Sequence, residues 1–306
     1  MRPFLTVYGH VCLDQIMSLA RFPEPNTSVD IVEKHRYFGG TGANIATVAA
    51  SLGVPTALVS YVGSDLPDEF RRNMEEHGVD LSEMVMVDGY ETSTVMIVTD
   101  SEQNQIAFVY QGPMRDMGDF DLLTARASES SIVHVSTGRP EYYLRLMEML
   151  RSLGKEISFD PAQEIHHIWS AETFRHGIGF ADTFFCNANE LRTALRYLGM
   201  ERPEELLSSV GTIINTRGAE GSVAFTADGS IAVPAIPPHA MVDPTGAGDA
   251  FRAGYYAGRY RGRSPEECLA YGNAAASFAL EAKGGVGKVP TWDMVEERAA
   301  PLLTRS

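Results

Sequence analysis

Lysine is scarce in this chain: only 4 of the 25 basic residues among 306 are lysines, and apart from Arg71–Arg72 arginines and lysines alike are scattered singly. Against 40 Asp and Glu they leave a formal net charge of −15. So acidic a surface argues against a polyanionic partner, and neither nucleic acid nor an anionic membrane is expected to bind. Cysteine is equally sparse, with Cys12, Cys186 and Cys268 far apart and in no paired spacing. That excludes a disulfide framework and a cysteine zinc site, and fits small buried thiols in a reducing compartment. No apolar run approaches the roughly 20 residues that span a bilayer, and MRPFLTVYGH has no signal-peptide core. A soluble, cytoplasmic protein is expected. Repeats and low-complexity tracts are absent.

Two nucleotide-binding motifs are missing as well. A dinucleotide fingerprint needs G-x-G-x-x-G after the first strand, where this chain has GHVCLD. No G-x-x-x-x-G-K-[ST] run occurs, which sets aside a P-loop.

What is present is 44% apolar residues over 306, enough for one large domain or a domain with an elaboration. FLTVYG reads as a first strand ending in a turn before Asp14, and VDIVEKHRYFGG as an edge or lid strand. GANIATVAASL is a helix with Gly53 past its end, TALVSYVG a buried strand, and DEFRRNMEEHGV a helix closed by Gly78. TSTVMIVTD and QIAFVYQG flank the polar SEQNQ and read as a hairpin. Beyond Asp116, strands and helices alternate to the end, with SVAFTADG and SIAVPAI as a strand pair and two helices closing the chain. This rhythm implies a three-layer α/β/α fold with a mostly parallel central sheet and a small β-sheet lid. The body is assigned to residues 1–13, 38–89 and 113–306, and the lid to 14–37 and 90–112.

Open α/β sheets bind ligands at the carboxyl ends of their strands. Polar or glycine-rich positions recur there: Asp14, then Gly39, Gly40, Gly42 and Asn44, then Asp160, then Asn187 and Glu190, then Thr216, Gly218 and Gly221. Last comes VDPTGAGDAFRAG over 242–254, where two glycines precede Asp249 at the start of an apolar helix. A helix N-terminus presents unpaired N–H groups and a positive dipole end, which suits an anion.

The run GGTGANIA over 39–46, followed by Gly53 and Gly63, resembles the N-terminal signature of the ribokinase-like (PfkB) carbohydrate kinases. DPTGAGD over 243–249 with Ala253 and Gly254 resembles their C-terminal signature. Asn187-x-x-Glu190 and Thr216-x-Gly218-x-x-Gly221 are similar to two motifs that stand between, in the family's order. FPEPNTS at 22–28, DPAQ at 160–163, EAKG at 281–284 and VPTWD at 289–293 look most like the nucleoside-kinase branch.

The resemblance implies ATP- and Mg²⁺-dependent phosphoryl transfer, the acceptor being the 5′-hydroxyl of a nucleoside. In that reading Asp249 is the base, and the N–H groups of Gly246, Ala247, Gly248 and Asp249 form an anion hole. The helix N-terminus should favour the ionised form of Asp249; the plainer alternative is a helix-start acid. Asp14, Gly39, Gly40 and Asn44 would bind sugar hydroxyls, although Asp14 and Asn44 also suit a turn and a helix cap. Gln111 and Gln163 are candidates for the base, or residues of solvated loops. Asn187, Thr216, Arg217, Gly218, Gly221 and Asn273 would meet ATP, with a helix start, a strand-end turn and a helix surface as the alternatives. Glu190 would order water around Mg²⁺. Asp243 is a candidate support for a monovalent cation such as K⁺. His10, His134, His166 and His167 are set aside, the last two as surface residues. Lid edges that need covering suggest a homodimer. The rival acceptors are a sugar or sugar phosphate, as in ribokinase, fructokinase or 6-phosphofructokinase types; a nucleotide-binding regulator without catalysis is a further rival.

Overall fold

The structure, a computed structural model, describes residues 2–102 and 104–303. Strand β1 (Leu5–Tyr8) passes through residues 9–11 directly into β2 (Cys12–Leu19), which pairs antiparallel with β3 (Ile31–Gly39). Asp14 therefore lies within a strand and not in a turn after the first one. Helix α1 (Thr41–Ser51) leads to β4 (Thr56–Gly63), α2 (Asp68–Glu76) and β5 (Asp80–Val87), an edge strand the sequence reading did not mark. The expected hairpin is β6 (Thr94–Thr99) and β7 (Gln105–Tyr110); Gln103 of its turn lies outside the described residues.

The alternating half follows as α3 (Ala125–Glu129), β8 (Ile132–Val135), α4 (Pro140–Ser152), β9 (Glu156–Phe159) and α5 (Ala171–Ile178). It continues through β10 (Thr183–Asn187), α6 (Ala188–Leu198), α7 (Pro203–Leu206), β11 (Thr212–Thr216), β12 (Ser222–Thr226) and β13 (Gly229–Val233). Three helices close the described chain where two were expected: α8 (Ala247–Tyr260), α9 (Pro265–Ala279) and α10 (Trp292–Leu303). Pro301, inside α10, and the short VPTWD lead-in hid the third.

The nine-stranded sheet has the order β13-β12-β11-β10-β9-β8-β1-β4-β5, parallel except for the β12–β13 edge. Strand alternation divides its side chains between two cores. Leu58 and Val62 of β4 join α1, α8 and α9 on one face, whereas Val59 and Tyr61 join α4 on the other. Both faces are thus covered, as a parallel sheet requires. The second sheet, ordered β3-β2-β6-β7, stands apart over the carboxyl end of β1. The backbone passes between the sheets at 9–12, 39–41, 92–94 and 110–112, so the two layers hinge on four adjacent crossings.

Candidate active site

A cleft of about 450 Å³ lies between the small sheet and the N-terminus of α8, within the usual size of small-molecule sites. It brings together Asp14, Gly40, Asn44, Gln111, Gln163, Gly246, Gly248 and Asp249 from distant parts of the chain. Its roof is apolar. Val95 and Ile97 of β6 lie opposite Val109 and Ala107 of β7, so all four share one face.

The start of α8 is shaped by Gly246, whose φ of +77° is open to few other residues. A side chain at 246 would also come within 2.5 Å of Gly285. Gly248 and Asp249 fall in the first helical turn, where backbone N–H groups have no intrahelical acceptor. The N–H of Ala247 instead meets the Pro244 carbonyl at 3.3 Å, so it drops out of the expected anion hole, and Gly248 and Asp249 are the open donors of the helix's first turn.

Asp249 accepts a 2.8 Å hydrogen bond on Oδ2 from Asn44 Nδ2, so α1 and α8 are joined through this carboxylate. Whatever help the helix end gives its ionised form, burial outweighs it. Burial raises its pKa to about 6, against the opposing pull of Arg252 and the Asn44 bond. Asp14 faces the same cleft from β2, and its Oδ2 lies 2.2 Å from where a Cβ on Gly39 would stand, which explains that glycine. Burial first, and then the charges of Asp249 and Asp243, push Asp14 up to about 7.

Gln111 is not a solvated loop residue. Its Oε1 meets His10 Nε2 at 2.5 Å and its Nε2 donates to Glu164 Oε1 at 3.3 Å, stitching the end of β7 to the body. His10 continues to Thr137 Oγ1 at 2.9 Å, and Glu164 accepts the Gly138 N–H at 2.6 Å. Gln163 is exposed and lines the cleft. His166 and His167 are exposed as expected, although His167 reaches the cleft rim. His10 lines the cleft as well: it follows β1, at the carboxyl end where the strand-end rule looks.

The other candidates, from 187 to 273, do not line this cleft. Asn187 caps α6, accepting from the Asn189 and Glu190 N–H groups at 2.8 and 2.9 Å, while Glu190 Oε2 accepts the Asn187 N–H at 2.7 Å. The cap thus takes one oxygen of Glu190, a buried carboxylate whose pKa burial raises to about 7. Thr216 ends β11, and Gly218 and Gly221 form the tight turn to β12. Arg217 extends from that turn, donating to Asn215 Oδ1 at 3.0 Å and stacking over Phe225. Asn273 is buried rather than on a helix surface, and its amide donates to the carbonyls of Val233 and Pro234 at 3.2 and 3.0 Å. Asp243 spends its two carboxylate oxygens on the N–H groups of Thr245 and Gly284, each at 2.9 Å, so it braces two loops.

Among the described residues no cluster of three or more His, Cys, Asp or Glu is placed to hold a metal directly. A cation bound by phosphates and water, with one carboxylate nearby, fits the lone Glu190; a protein cage does not. No helix among the described residues is long and apolar enough to cross a membrane.

A buried carboxylate at a helix start, two open N–H groups and a cleft at the carboxyl ends of parallel strands are the parts that an alcohol phosphotransferase of the ribokinase fold requires. The comparisons agree. The model of the pfkB family carbohydrate kinases matches residues 2–292, and the chain belongs to that family. It is similar to a nucleoside kinase of Methanothermobacter thermautotrophicus, 37% identical over 94% of this chain and 92% of that one. A nucleoside kinase of Methanocaldococcus jannaschii is 36% identical, over 96% of each chain. The crystal structure of a M. jannaschii nucleoside kinase superimposes with a TM-score of 0.91, covering 97% of this chain and 98% of the other at 35% identity.

Proposed function

We propose that this kinase transfers the γ-phosphoryl group of ATP to the 5′-hydroxyl of a nucleoside, giving the 5′-monophosphate and ADP. The observation that carries the acceptor is the lining of the cleft: a carboxylate and an amide on one side, an apolar roof above, and neither Lys nor Arg among its lining residues. Asp14 and Asn44 suit vicinal sugar hydroxyls. Val95, Ile97, Ala107 and Val109 suit the face of a base. A sugar phosphate would bring a buried dianion into a cleft with no cation to meet it. Both nucleoside kinases named above are consistent with this acceptor.

In the reaction Asp249 takes the proton of the attacking hydroxyl as the new O–P bond forms and the bond to the ADP oxygen breaks. The N–H groups of Gly248 and Asp249 meet the charge on the transferring oxygens. A phosphate-bound Mg²⁺ would neutralise donor charge, with Glu190 placed to order its water shell. Asn187, Thr216, Arg217, Gly218, Gly221 and Asn273 would shape the ATP side, the buried Asn273 by holding the end of β13. The small sheet acts as a lid over the acceptor, excluding water that would otherwise be phosphorylated.

The opposite face of that lid supports a homodimer. Ile106, Phe108 and Tyr110 point away from the cleft side of β7 and are 43%, 53% and 44% exposed. Sedimentation should give a dimer that Phe108→Asp dissociates; a wild-type monomer refutes it.

The functional test is phosphoryl transfer from Mg-ATP to adenosine, guanosine, inosine, cytidine, ribose, fructose and fructose 6-phosphate, with Asp249→Asn alongside. Turnover of nucleosides that the variant loses is expected. Turnover confined to free or phosphorylated sugars would overturn the acceptor.

A further inference from the structure

Arg252 falls within the 242–254 stretch but has been given no role there, and it is a buried cation. It stands one turn after Gly248 on α8 and is 5% exposed. Its guanidinium grips the fully buried Asp160 at the end of β9, with Nη2 to Oδ1 at 2.8 Å and Nε on Oδ2. His134 of β8 approaches the same Oδ2, its buried Nε2 lying 3.3 Å away without forming a hydrogen bond. His134 Nδ1 in turn bonds the Tyr256 hydroxyl at 2.7 Å, returning to α8. The remaining nitrogen, Nη1, lies 2.8 Å from where a Cβ on Gly248 would stand. The second glycine of the motif thus makes room for a cation beneath the anion hole.

A buried ion pair is a poor device for stability alone, since well-packed apolar side chains of similar volume often do as well. What apolar groups cannot supply is a fixed positive charge at this point. We propose that Arg252 is a positioning residue for phosphoryl transfer: gripped by Asp160, it holds the first turn of α8 in shape beneath Gly248 and keeps a fixed positive charge on the same helix face as Asp249, three residues away. This rests on the phosphotransferase reading above but not on the choice of acceptor.

The groups facing Asp249 are Asn44 from α1, Asp14 from β2, Asp160 from the end of β9, Glu190 from α6 and Arg252 from its own helix. Of these, Arg252 and Asn44 favour its ionised form, while Asp14, Asp160 and Glu190 oppose it. Asp160 opposes less than Arg252 favours, so removing the pair together still leaves Asp249 a proton-richer group.

The test uses Arg252→Lys, Arg252→Met and the double variant Arg252→Met with Asp160→Asn. The single Met variant strands a buried carboxylate and is expected to melt early. The double variant removes both charges and separates electrostatics from folding. Two readouts are followed from pH 5 to 9: kcat and KM with Mg-ATP and the preferred acceptor, and the ¹³C carboxyl titration of Asp249, assigned by its loss in Asp249→Asn. The double variant should fold, keep the acceptor KM within about twofold and lose at least tenfold in kcat at pH 7. Its acid limb and the Asp249 titration should both move up by at least half a pH unit, with the Lys variant nearer wild type. A folded double variant whose limb and titration stay in place overturns the proposal, whatever its kcat. Absence of turnover in wild type would instead refute the phosphotransferase reading, while the titration still decides the role of Arg252.

Discussion

Replacing Asp14 by Asn should abolish phosphoryl transfer and make the ligand-free protein more stable, but only above mildly acidic pH. The carboxylate sits against Gly39 in β2, partly buried, and among the described residues it accepts no hydrogen bond. Its pKa rises from 3.8 to about 7. A carboxyl that binds its proton more tightly when folded costs stability as pH climbs from its unfolded pKa through its folded one. The cost is nil below pH 3.8, grows between there and about 7, and is complete above. About three pH units at ~1.4 kcal/mol each set a ceiling near ~4 kcal/mol. Partial exposure and solvent screening reduce that to about 1–2 kcal/mol. For a chain of this length the gain is roughly 2–5 °C in melting temperature at pH 8. Thermal melts of both proteins at half-unit steps from pH 4.5 to 8.5 check it. The difference should vanish at the acid end and widen towards neutrality. A difference that is constant across the series, or an Asn variant that melts earlier at pH 8, would refute the account of Asp14 as a carboxylate held under strain for a substrate's hydroxyls.

Other expectations follow from the same geometry. Because Asp14 and Asp249 are raised to about 7 and about 6, kcat/KM for the wild type should begin to fall below about pH 7 and steepen below about 6, and a single limb near pH 4 would refute both shifts. Gly285→Ala places a methyl 2.3 Å from Asn44 Nδ2, so it should disturb the Asn44–Asp249 bond and cut kcat by at least tenfold with little change in the far-ultraviolet spectrum; unchanged turnover would show that bond to be dispensable. Glu281, 5% exposed by its side chain, receives Lys288, Arg298 and the His239 N–H, and its pKa falls to about 2. Glu281→Gln strands the Arg298 cation and should cost about 2–4 kcal/mol in urea unfolding at pH 7. That penalty should shrink as pH falls through about 4.5 towards 2, where the wild type loses the same charge.

Much of this architecture was legible in the sequence because parallel strands covered on both faces must be apolar throughout. TALVSYVG, SIVHVS and TIIN leave few alternatives. β2 was harder to see, since CLDQIMSL carries Asp14 and Gln15 where a strand pattern would want apolar residues, and it begins only three residues after β1. Asp14 faces the cleft and Gln15 the opposite side, so neither face of the strand reads as continuously apolar. The glycines of the last motif were readable as a helix start, but not the reason for Gly248, which is the guanidinium of a residue four positions on. The buried cluster left a trace that was passed over: His134 in an otherwise apolar strand, Asp160 ending another, Arg252 among Phe251, Ala253 and Tyr256. Charged residues inside three buried elements are expected to find one another, because none can be left unpaired at tolerable cost. Which one meets which depends on strand order, and that is a property of the whole sheet.

The four places where the backbone passes between the two sheets have a consequence for how such a chain can change. The segments 12–39 and 94–110 carry Asp14 and the apolar roof, whereas Asp249 and the α6 and β11 ends belong wholly to the larger sheet. On the proposed reading, Asp14 and the roof that would meet the acceptor are therefore encoded apart from Asp249, with Asn44 of α1 as the residue shared between the two tasks. Either stretch can drift or be exchanged without rewriting the other, provided the residues at the crossings keep their geometry. Grafting the small sheet of a relative with a different acceptor is thus a direct way to redirect this kinase while leaving its chemistry intact.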